Sequence, residues 1–94
     1  MRKGGQAMGG KKQARLVKRS RNTYYGGTYE MWDIGDGRGI YVDYNPSICE
    51  TMAFWYDMKR DIVKSWDELG VWYEDATGGK AIRELGYEPV EDER

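Results

Sequence analysis

Ninety-four residues allow one domain at most, since a chain this short cannot bury two separate cores. The formal charge of −1 conceals a segregation: eight basic residues fall in the first 22 and no acid precedes Glu30, which leaves 7 basic against 16 acidic residues, a net of −9, in the other 72. With no histidine and one cysteine, Cys49, the chain excludes histidine-based catalytic triads, multi-cysteine metal sites and intramolecular disulfides.

Residues 1–22 read as a basic flexible arm drawn to polyanions. Only Leu16 and Val17 offer adjacent apolar side chains, too little to offset the roughly 1–2 kcal/mol per residue of backbone entropy lost on ordering. The free arm is therefore expected to be disordered, ordering only on a partner, on the acidic domain, or as a short helix over 11–21. Lys11, Lys12, Arg15, Lys18, Arg19 and Arg21 are its candidate nucleic-acid contacts. Residues 23–94 form the acidic, aromatic-rich domain.

Residues 27–34 and 39–44 flank Asp36-Gly37, which supplies the positive φ angles of a tight primed turn, so the segment is expected to be an antiparallel β-hairpin. A symmetric turn pairs Met31 with Val42 and Tyr29 with Tyr44. Tyr29, Met31, Ile40, Val42 and Tyr44 then share the core face. The other face carries Trp32 opposite Tyr41 and Glu30 opposite Asp43, an opposition of like charges that calls for a basic group nearby.

Ser47 with Glu50 makes a capping-box pattern, with Asn45 before Pro46 as a competing start. Ile48, Met52, Trp55, Ile62, Trp66 and Leu69 then follow one helical stripe, and Gly70 is a stop signal, so one long amphipathic helix is expected, kinked near Lys59 and Arg60. Residues 71–74 read as a third strand, 80–85 as a short helix stopped by Gly86, and 87–90 as an edge strand that tolerates Pro89. The fold class expected from these elements is α+β.

No stretch approaches the ~20 apolar residues of a membrane helix, and the N-terminus lacks a signal-peptide apolar run, so a soluble cytoplasmic protein is expected. The glycines at 35–39 join two strands instead of opening a helix, and Gly78-Gly79-Lys80 lacks the remainder of a phosphate-binding loop. Cys49 falls in the first turn of the expected helix, where it reads as a small, semi-buried hydrophobe. No catalytic residue, cofactor or metal is implied, and a non-enzymatic binding protein is expected.

One stripe and one sheet face cannot hide Trp32, Tyr24, Tyr25, Tyr41, Tyr56 and Tyr73 together, so about two or three aromatics are expected at the surface. The candidate patch is Trp32, Tyr41, Arg38, Glu30 and Asp43, with Asp57, Asp61, Asp67 and Glu68, together with Glu74 and Asp75, forming an acidic surface around the helix end. Aromatics beside Lys and Arg stack on bases, whereas aromatics ringed by carboxylates favour a protein partner with a basic surface. The expected function is an inhibitor or adaptor docking on a nucleoprotein machine. The alternatives are a nucleic-acid-binding module using the arm and a component of a virion or ribonucleoprotein assembly. Small, histidine-free, charge-segregated chains of this kind resemble phage and mobile-element products, anti-CRISPR proteins included, a resemblance of type that carries no residue roles.

Overall fold

Alternating apolar and polar side chains, rich in Tyr, Trp, Val, Ile and Thr, dominate the middle of the chain and favour strands that bury one face. The computed structural model describes residues 12–64 and 68–91, and among them the main element is a mixed β-sheet. Its strands are β1 (Gln13–Arg21), β2 (Thr28–Gly35), β3 (Arg38–Asn45), β4 (Glu50–Asp57), β5 (Ile62–Val63), β6 (Gly70–Trp72) and β7 (Glu88–Val90), with one five-residue helix, α1 (Lys80–Glu84). The spatial order is β5-β4-β3-β2-β1-β7, and β6 shares the outer edge of β4 with β5. All pairings are antiparallel except β1 with β7.

The expected long helix, and with it the α+β class, is overturned. Its span holds β4, a turn and β5 instead. Thr51, Phe54, Trp55 and Tyr56 are better strand than helix formers. A strand buried on both faces also mimics a helical stripe, because apolar residues occur at every spacing. Positive φ angles at Cys49 (51°) and Asp61 (62°) break any helix at both ends of β4. The Asn45 carboxamide accepts the Ser47 N–H at 2.9 Å, forming a turn rather than a helix cap. Cys49 is exposed in that turn.

Of the orderings open to the basic N-terminal segment, packing on the acidic domain is the one observed over Gln13–Arg21, which is not a helix but a strand inside the sheet, hydrogen-bonded to β2 on one side and β7 on the other. Pairing with the ladder satisfies backbone groups that a free arm would leave to water. The expected third strand, short helix and edge strand are found as β6, α1 and β7.

The hairpin exists, but its register differs. Asp36 (φ 59°) and Gly37 (φ 76°) make the turn, and Gly35 pairs with Arg38 as a symmetric turn requires. A bulge at Ile34 then shifts β2 by one residue, so that Trp32 faces Ile40, Glu30 faces Val42 and Met31 faces Tyr41. A one-residue slip turns every β2 side chain over. Trp32 and Glu30 thus lie in the core, and Tyr29 and Met31 on the opposite face, the reverse of the expectation.

One side of the sheet packs Ala14, Trp32, Ile34, Ile40, Val42 and Ala53 against Ala76, Ala81 and Ile82 from the segment around α1. Thr51 ties that segment down: its hydroxyl donates to the Glu74 carbonyl and accepts the Ala76 N–H. No helix among the described residues is long and apolar enough to cross a membrane.

Candidate functional site

The side of the sheet away from α1 is where chemistry-bearing residues gather. The shifted register places Tyr29 on β2, Tyr41 on β3 and Tyr56 on β4 on one face as diagonal neighbours, a row that runs obliquely across the strands. The Tyr29 and Tyr41 rings are tilted by 31° with centroids 5.7 Å apart, and those of Tyr41 and Tyr56 are stacked at 20° with centroids 6.0 Å apart. A second bulge, at Val17, sets the far end of the row. Ala14 and Leu16 before it face the core, but after it the alternation inverts, so Lys18 and Ser20 point to the tyrosine side. The Lys18 ammonium lies 5.6 Å from the Tyr29 ring centre.

The β1–β2 loop closes one end of this row. Asn22 holds the loop, its carbonyl accepting the Gly26 N–H and its side chain the Tyr24 N–H, which leaves Tyr24 93 % exposed with both ring faces open. Tyr25 folds inward and donates its phenol to Asp43. Gly27 makes the close turn possible, since a Cβ there would meet the Tyr44 carbonyl oxygen at 1.9 Å. The result is a groove of about 530 Å³ with Lys18, Ser20, Arg21 and Tyr24 on its rim and Met31 and the three tyrosines inside.

Burial pushes the Tyr41 phenol up to about 12, helped by Asp43 and Tyr29. Tyr25 and Tyr56 are raised too, first by burial and then by hydrogen bonds to Asp43 and Asp61. At neutral pH these hydroxyls are neutral donors. Of the acids on this face, Asp43 and Asp61 each accept one phenol.

The expected site residues are thus divided. Lys18, Arg21, Tyr41 and Asp61 line the groove, with Asp43 on the same face opposite Tyr29, while Arg15 on β1 faces Asp33 farther along. Lys12 is exposed just before β1. Arg19 is on the core face and committed: it donates to Glu30 and, through two nitrogens, to Glu91, which raise its pKa. Trp32 and Glu30 are fully buried and form no surface patch. Arg38 lies 5.5 Å from the Trp55 ring on the other face, Asp57 ends β4, and Glu68 is exposed and does not line the groove, so these acids do not ring a helix end. Lys11 and Asp67 lie outside the described residues.

Sequence reasoning missed Tyr29, Met31 and Ser20 as site residues. The signal was the polar neighbourhood of each tyrosine on an alternating strand, hidden by the two bulges. Among the described residues no group of three acidic or cysteine side chains is placed to hold a metal ion. No protein-family model, curated protein or solved structure matches this chain.

Proposed function

We propose that this protein binds single-stranded nucleic acid across its tyrosine-lined face. The observation that carries the proposal is the row of Tyr29, Tyr41 and Tyr56 ending on Lys18, beside a strand that continues a strongly basic N-terminal sequence. Single strands are held without sequence preference by a positive track plus aromatic surfaces, each stacked base contributing about 1–3 kcal/mol. Tyr24 supplies an open ring for stacking, and Lys18 and Arg21 supply the track. The neutral Tyr41 phenol and Ser20 add donors for phosphate and sugar oxygens, the Tyr25 and Tyr56 protons being held by Asp43 and Asp61.

The test is fluorescence anisotropy of labelled single-stranded oligonucleotides with the full chain. Tyr24→Ala should weaken binding about tenfold, the loss of one stacked base. Absence of binding at low salt would sink the proposal.

A second reading, an adaptor or inhibitor docking on a basic protein surface, is favoured by Tyr73, 79 % exposed and followed by the exposed acids Glu74 and Asp75. It is supported instead if Tyr73→Ala abolishes association with a purified basic partner while the protein ignores oligonucleotides.

A further inference from the structure

A second concavity, of about 330 Å³, lies near the β5 end of the sheet and is lined by Trp55, Arg38, Lys64 and Tyr56. The register places Trp55 opposite the buried Ile40, on the core side and so across the sheet from the tyrosine row. Small-molecule sites of ~300–1,000 Å³ are mostly apolar with a few convergent polar groups, and this one has aromatic walls with two cations. Lys64 is held there by its backbone N–H, which donates to the Trp55 carbonyl at 2.9 Å. Arg38 stands over the Trp55 indole, 5.5 Å from its centre.

The carboxylate best placed to neutralise Arg38 is turned elsewhere. Asp57 is the cross-strand partner of Arg38. Its Oδ1 accepts the backbone N–H groups of Lys59 and Arg60, both at 3.0 Å, and its Oδ2 lies 4.0 Å from Arg60. Among the described residues no acid lines the concavity. A flat, half-buried wall flanked by two cations fits a ligand that is itself flat at one end and anionic at the other.

We propose that this pocket binds a nucleoside monophosphate group, with the base against Trp55 and the phosphate between Arg38 and Lys64. The group is either a free nucleotide or the 5′-phosphorylated end of a strand, which present the same chemistry. The proposal does not depend on the stacking row, since Trp55 faces the core side while Tyr29 and Tyr41 face the other; of the described residues only Tyr56 lines both concavities.

The experiment is a chemical-shift titration of the full chain with adenosine 5′-monophosphate, adenosine, inorganic phosphate, and a short oligonucleotide with and without a 5′-phosphate. Saturable shifts at the Trp55 indole N–H and the Lys64 amide are expected with the monophosphate. Affinity should fall about tenfold or more for adenosine, for phosphate alone, and for Arg38→Ala or Lys64→Ala. Both variants alter exposed side chains, and an unchanged amide spectrum away from the pocket will show that they fold. If only the 5′-phosphorylated oligonucleotide shifts Trp55 and Lys64, the pocket holds a strand end. Phosphate binding as tightly as the nucleotide, shifts confined to Tyr29 and Tyr41, or no shift with any probe would overturn the proposal.

Discussion

A carboxylate with no exposed surface must find its hydrogen bonds inside the fold, and Glu30 finds three. Its Oε2 accepts from Arg19 Nε and the Gly78 N–H, both at 2.7 Å, and its Oε1 from Trp32 Nε1 at 3.0 Å. One side chain thereby joins β1, β2 and the turn before α1. Removing one partner of a buried ionic pair leaves the others uncompensated, which costs about 3–5 kcal/mol. Glu30→Ala should therefore destabilise the protein by ~3 kcal/mol, measured as a lower urea midpoint with unchanged slope. The tyrosines make a different prediction. A phenol whose folded pKa is raised above its usual 10.0 leaves stability intact below pH 10 and removes it as pH climbs towards the folded value. With Tyr41 at about 12, and Tyr25 and Tyr56 also raised, folding stability should fall between pH 10 and 12. Phenolate absorbance should lag behind that of free tyrosine until the fold opens. Normal titration of all eight tyrosines would contradict the buried placement.

At the scale of elements, the two bulges decide which side of the sheet does what. Deleting Val17 would restore simple alternation to β1, swinging Lys18 and Arg19 to the wrong faces and stranding Glu30 without its guanidinium. The expected result is a loss of several kcal/mol, on the order of the Glu30 change, read by thermal melting. An exposed Val17→Ala, by contrast, should lie within about 0.5 kcal/mol of the parent. These bulges also explain what was legible in the sequence. Asp36-Gly37 named its turn, and the short helix and both outer strands near the C-terminus carried their own glycine and proline signals. The bulge at Ile34 has no such local marker, because it depends on which pairing buries Trp32 best. The helix expected after Ser47 failed for a related reason: β4 is apolar on both faces, so periodicity could not tell its stripe from a helical one. Of the site, Tyr41, Lys18 and Arg21 were visible from charge and aromatic density. Their company with Tyr29 and Tyr56 required the register.

At the scale of the molecule, the basic strand β1 and the acidic remainder are interlocked, not opposed, since β1 lies between β2 and β7, the strand that Glu91 follows. This divides the cations of β1 into two kinds. Arg19 works inward, bridging Glu30 and Glu91, and its charge is spent on the fold. Lys18 works outward over Tyr29. Each phosphate neutralised on a single strand adds about 0.7 to the slope of log affinity against log salt. Lys18→Ala should thus lower that slope by roughly 0.7 while leaving the melting temperature nearly unchanged. Arg19→Ala should do the opposite, lowering the melting temperature through the loss of its Glu30 and Glu91 contacts with little effect on the slope. Equal slopes for the parent and Lys18→Ala would place the nucleic acid off the tyrosine face. An equal loss from both variants would mean that β1 meets phosphate as an undifferentiated basic strand, and the inward and outward roles argued from the Val17 bulge would fall together.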